Sequence, residues 1–272
     1  MKNPVTYLAA ASILLAAAAH AELPTLTEKP WLGYFLGIKE KGFQFGIETK
    51  GVAALEPLKR DGEPVNIHNP IKISFDVLET MPDGKVVSKK IQPESLVSTS
   101  PAVENPKQAV IITGKATGDA EFSVAITPDR GAVSITGKIT DKGTLTNPLS
   151  FAVRAAFNPY NGGGGATEEK KEAFDKKIKR DEVKVVLVSG KKEKLEFAEE
   201  KNPALHFKDG MSSVEIESAA YGGVGFEFTA TDKSRIAFED KGDKALWDSF
   251  TLVWTVNEGA DPGTQKLTIA GR

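Results

Sequence analysis

Arg154 has the surroundings best suited to holding a ligand. In Ser150-Phe151-Ala152-Val153-Arg154-Ala155-Ala156-Phe157-Asn158, an apolar row (Leu149, Phe151, Val153, Ala155, Phe157) alternates with Ser150, Ala152, Arg154, Ala156 and Asn158. Small neighbours leave room beside a guanidinium, whose planar fork suits carboxylates and sugar hydroxyls. Tyr160 and Asn161 follow directly, and then come four glycines, Gly162 to Gly165. The expected arrangement is a shallow polar groove floored by Arg154, flanked by Asn158 and walled by Tyr160, with the glycine tract as a movable flap. The competing reading is a solvated Arg154, or one paired with an acid of the next strand, because one face of an antiparallel sheet is normally wet.

His68 is the other candidate. It lies in Asn66-Ile67-His68-Asn69-Pro70, where a proline-ended loop before a strong strand can hold a side chain rigidly. The second histidine beyond residue 21 is His206, and neither has a second ligand at helical or hairpin spacing, so no metal site is expected. No Gly-x-Ser-x-Gly elbow and no calcium loop is present.

The glycine tract does not read as a phosphate loop. A Walker loop needs Lys and Ser or Thr after its last glycine, and here Ala166 and Thr167 follow Gly165. A dinucleotide fingerprint would need glycine where Thr167 stands, and a βαβ unit around it. No cofactor is expected. Glu215, Glu217 and Glu227 read as strand-surface acids, and no catalytic pair is assigned among them.

The elements that position these residues are strands. Ile71, Ile73, Phe75 and Val77 alternate with polar residues, as do Phe122, Val124 and Ile126; Val224, Phe226 and Phe228; and Phe250, Leu252, Trp254 and Val256. Period-two rows bury one face and wet the other, as in antiparallel sheets packed in pairs. Turn signals separate them at Pro82-Asp83-Gly84, Pro128-Asp129-Arg130-Gly131, Asp141-Lys142-Gly143, Lys208-Asp209-Gly210 and Asp240-Lys241-Gly242. About sixteen strands follow from this spacing, an all-β antiparallel sandwich.

An echo, Ile112-Thr113-Gly114-Lys115 against Ile135-Thr136-Gly137-Lys138, reads as two similarly solvated strands of one sheet or as paired bulges. Trp254 falls in an apolar row and belongs to the core; Trp31 and Trp247 lie near strand starts and could be exposed, and Tyr221 lies at a turn, but such residues more often seal the open ends of a sandwich than bind ligand.

Residues 1–21 read as a cleavable export signal, with Lys2, an apolar run from Leu8 to Ala19, and Ala19-His20-Ala21 at the cleavage point after Ala21. The run is shorter than the roughly 20 residues that cross a bilayer, so no membrane insertion is expected after cleavage. The expected order is a first sandwich at 22–157, a Gly-rich linker and short charged helix at 158–180, and a second sandwich at 181–272. In the helix, Thr167 would cap the first turn. The alternative is one large sandwich with 158–180 as an insertion.

The chain has no cysteine, so apolar burial alone must hold it together, which fits periplasmic or secreted destinations reached by a bacterial export route. Without Lys2 there remain 34 basic against 37 acidic residues, a balance of −3 with mixed signs. Nothing there attracts nucleic acid. The expected function is a non-catalytic binding or interaction protein of the envelope, its partner a glycan or an envelope protein. The alternatives are a polysaccharide-active enzyme or its carbohydrate-binding module, and a structural protein assembling through sheet edges.

Overall fold

The computed structural model describes residues 22–65, 69–160, 168–178, 181–231, 234–260 and 264–272. The export segment, His68, the glycine tract and Thr167 lie outside the described residues.

Alternation becomes strand nearly everywhere it occurs. In chain order the strands are β1 (Tyr34–Glu40), β2 (Phe43–Glu48), β3 (Ala53–Pro57), β4 (Ile71–Thr80), β5 (Val86–Lys89), β6 (Ile91–Ser98), β7 (Val103–Glu104), β8 (Val110–Ala116), β9 (Ala120–Asp129), β10 (Ala132–Asp141) and β11 (Leu149–Phe157). Helix α1 (Glu168–Ile178) follows, then β12 (Glu182–Leu187), β13 (Lys192–Glu196), the short α2 (Pro203–His206), β14 (Met211–Glu217), β15 (Gly225–Ala230), β16 (Arg235–Phe238), β17 (Phe250–Asn257) and β18 (Leu267–Gly271). The turns use the expected chemistry. Asp83, Asp141 and Asp240 each accept the backbone N–H two residues on, which reverses the chain tightly.

Hydrogen bonding orders the strands into two layers. One runs β7-β1-β2-β3-β4-β11-β17-β16. The other runs β6-β8-β9-β10-β18-β15-β14-β12-β13. These neighbours are antiparallel except β1 and β7, and the layers meet through Met211 opposite Ile236. Phe122 and Phe151, Phe43 and Phe226, and Phe157 and Phe228 pack ring against ring between them. Phe122, Phe151 and Trp254 are fully buried, so the dry interior lies where the apolar rows place it. The fold is an all-β antiparallel sandwich. β10 pairs with β18 and β11 with β17, so hydrogen bonds run between segments 22–157 and 181–272.

Two glycine effects explain what alternation alone does not show. The echo strands β8 and β10 flank β9 with unbroken register at Gly114 and Gly137, while on the other side of Gly114 the β6–β8 register shifts between Gln92 and Val97. A Cβ at Gly137 would lie 2.0 Å from the Phe151 ring, and one at Gly114 would press on Leu96 and Phe122. Both glycines make room for core side chains. Likewise, Trp31 lies over Gly37 and Gly46 and is buried rather than exposed.

Candidate functional site

Register decides which polar residues share a face. Across β4, β11 and β17, Ser74 lies opposite Arg154 and Arg154 opposite Val253, which faces Ala237 of β16. The row on one side is Lys72, Ala156, Thr251 and Glu239, the last bonded through its N–H to the Thr251 carbonyl. On the other side stand Asp76, Ala152, Thr255 and Arg235. These positions point away from the core, because each alternates with a buried apolar residue. Arg154 is therefore central to a shelf of three rows, with Ala156 and Ala237 as its low points, while Ala152 and Thr251 are covered.

From that position the guanidinium reaches along opposite diagonals. Its Nε lies 3.5 Å from Asp76 Oδ2, and its Nη2 donates to Glu239 Oε1. The three side chains keep 22%, 18% and 34% of their surface, half-sheltered values at which ion pairs are less screened than on open surface. The Nη1 amino group has no protein partner among the described residues.

The acids differ. Burial pushes the Asp76 carboxyl above its usual range, opposed by Arg154 and by the Ser88 hydroxyl, which donates to Oδ1 at 3.3 Å. Lys241, 3.9 Å from Glu239, is held below its usual range by burial first, then by repulsion from Arg154 and Lys244.

The 239–248 segment joins this shelf to the end of β11. Glu239 meets Arg154, Trp247 packs edge-on against Tyr160 with ring centres 5.6 Å apart, and the Asn158 amide donates to the Asp248 carbonyl at 3.1 Å. Arg154, Asn158 and Tyr160 thus contact one segment. Tyr160 is wedged between Trp247 and Phe174 of α1, its hydroxyl buried and without a partner among the described residues. Asn158 is further tied by its carbonyl, which accepts from Asn69 at 2.6 Å. Tyr221, like Trp31, is buried, whereas Trp247 is half-buried.

Sequence reading missed Asp76, Glu239 and Lys241. Asp76 was visible as a polar position of β4, and Glu239 stands just before a turn. Their alignment with Arg154 depends on which strands become neighbours, which no local pattern encodes.

Elsewhere, His206 at the end of α2 lies 3.6 Å from Glu193 and against the Phe207 ring. Glu215 and Glu227 stand opposite each other on the outward face of the second layer, both bridged by Arg272. They line an open trough of about 570 Å³ in which Glu182 pairs with Lys184 and Lys194, and Lys184 also with Glu215. Among the described residues, no cluster of His, Asp or Glu is arranged to hold a metal ion, and no helix is long and apolar enough to cross a membrane.

No protein-family model matches the chain, and no curated protein matches it by sequence. Solved structures resemble it in fold. A putative aldose 1-epimerase from Escherichia coli K12 covers 87% of this chain and 98% of its own at 10% identity, with a TM-score of 0.47. An α-N-acetylgalactosaminidase from Bifidobacterium bifidum, in a Gal-NHAc-DNJ complex, covers 87% of this chain at 9% identity with a TM-score of 0.51. This chain spans only 35% of that protein. A galactose mutarotase-like protein from Lactobacillus casei ATCC 334 covers 87% of this chain and 98% of its own at 11% identity, with a TM-score of 0.44. The likeness is one of fold.

Proposed function

We propose that this chain is an exported, non-catalytic carbohydrate-binding protein of the bacterial envelope, with its site on the Arg154 shelf. The observation that carries the reading is Arg154 held between Asp76 and Glu239 on a floor of alanines. A sugar diol both donates and accepts hydrogen bonds, and the shelf offers both functions: guanidinium N–H donors beside carboxylate acceptors. Charge-assisted bonds of this kind are about twice as strong as neutral ones. Asn158 and Tyr160 set one end of the shelf by fixing the 245–248 turn. The fold likeness to sugar-handling proteins supports the same ligand class, and residues 1–21 support export.

Binding without turnover is favoured because both acids lean on one guanidinium. Turnover at the same shelf is the second reading, favoured by the raised Asp76 carboxyl, which suits a proton donor.

The test is a glycan array probed with residues 22–272, followed by calorimetric titration of the hits. Saturable binding is expected, and Arg154→Lys should weaken it at least about tenfold by losing the fork. An array with no saturable hit overturns the reading, and hydrolysis or epimerisation of a bound glycan moves it to the enzyme class.

A further inference from the structure

The first layer has a slot in it. β3 leaves the edge of β4 at Ile73, and β5 joins the same edge only at Val77, so among the described residues no strand lies beside Ser74, Phe75 and Asp76 there. The opening, about 290 Å³, passes between the β2–β3 turn and the β5–β6 connection into the sandwich. Its inner wall is apolar: Phe75, Leu96, Ile112 and Phe122, each buried. Leu96 spans the slot from the β2–β3 turn to β8, seated where a Cβ on Gly51 or Gly114 would come within 2.8 Å of it, and so forms its floor. The rim carries Val52, 43% exposed, and Ile91.

The mouth is cationic. Lys50 and Lys90 both line it, and neither ammonium group has a hydrogen bond or ion pair among the described residues. The one acid at the rim, Asp76, is engaged by Arg154 and Ser88. An apolar shaft under two unpaired lysines matches a molecule with a greasy tail and an anionic head.

We propose that this slot binds a single-chain anionic amphiphile, with its alkyl tail lying in the slot between Val52, Ile91 and Pro93 over the Phe75–Leu96 floor and its carboxylate at Lys50 and Lys90. The slot borders the Arg154 shelf at Ser74 and Asp76, but its apolar floor and two lysines are not part of that shelf, and it does not depend on the carbohydrate reading. Its volume sits at the small end of ligand sites, roughly 300 to 1,000 Å³, which suits one short chain and excludes a two-chain lipid. Three unpaired strand positions are also too few for an added β-strand, so a peptide is disfavoured.

The experiment is calorimetric titration of residues 22–272 with sodium octanoate at low salt, below its micelle concentration, alongside hexanoate and 1-octanol. One-site saturable binding of octanoate is expected, weakening about fourfold for each methylene removed. 1-Octanol should bind more weakly. Val52→Trp, at an exposed rim position, should fill the mouth and cost at least about tenfold while the melting curve stays the same. Lys50→Glu with Lys90→Glu should remove the preference for octanoate over 1-octanol, and no fold defect would produce that selective loss. The proposal is overturned by no saturable octanoate binding, by equal affinity for hexanoate and octanoate, or by Val52→Trp binding as wild type. Binding to phosphatidylglycerol vesicles without octanoate binding also overturns it.

Discussion

Replacing Arg154 with Met keeps the apolar stem and removes the fork, leaving Asp76 and Glu239 with no shared cation. Exposed ion pairs contribute about 0 to 1 kcal/mol, whereas breaking a buried pair costs about 3 to 5 because a charge is stranded. With Arg154, Asp76 and Glu239 retaining 22%, 18% and 34% of their side-chain surface, the site lies between these limits. The expected cost is about 2 kcal/mol at neutral pH, or a melting temperature lower by roughly 4 to 8 °C for a chain of this size. The pH dependence has a definite sign. Asp76 already titrates above its ordinary value of 3.8, and losing Arg154 raises it further. A raised carboxyl destabilises the fold when ionised, and that penalty disappears as pH falls through its folded value. The gap between wild type and Arg154→Met should therefore close on acidification. Thermal unfolding followed by circular dichroism from pH 8 to pH 3 measures it, and Asp76→Asn in the Arg154→Met background should recover part of the loss. A cost under about 0.5 kcal/mol that does not vary with pH would refute a sheltered, mutually dependent triad.

Three further outcomes follow from the fold. Gly137→Ala should cost about 1 to 3 kcal/mol in urea unfolding, because its Cβ would meet the Phe151 ring at 2.0 Å and the core must shift. Glu79, buried and bonded to Lys89 and Asn147, titrates below its usual 4.5. Its stabilisation is present above that value and fades as pH falls through the lowered one, so Glu79→Gln should lose stability at neutral pH and match wild type in acid. Segments 22–157 and 181–272 expressed separately should each lack a cooperative melt and regain one when mixed, because β10–β18 and β11–β17 cross between them. Two separately melting pieces would instead support two independent sandwiches.

The legible part of this protein is what depends on neighbours two residues apart. The rows containing Phe122, Phe151 and Trp254 lie in the core because strand period sends alternate side chains to one side. The turns at Asp83, Asp141 and Asp240 follow from side-chain to backbone bonding within three residues. What depended on distant pairing was not legible. Trp31 stands outside any apolar row, yet Gly37 and Gly46, brought side by side in β1 and β2, form the recess that buries it. Arg154 and its small neighbours were visible in one strand. Asp76 lies 78 positions before it and Glu239 85 after, and only the β4–β11–β17–β16 order makes them its partners.

The central question for this protein is whether the Arg154 shelf is where a sugar is held. Two-dimensional amide spectra of residues 22–272, titrated with malto-, cello- and galacto-oligosaccharides, test this most directly. The account predicts saturable shifts confined to 72–76, 152–158 and 239–248, and their loss in Arg154→Lys. Saturable shifts centred on the Lys184–Glu215–Arg272 trough, or no shifts with any of the three series, would contradict it.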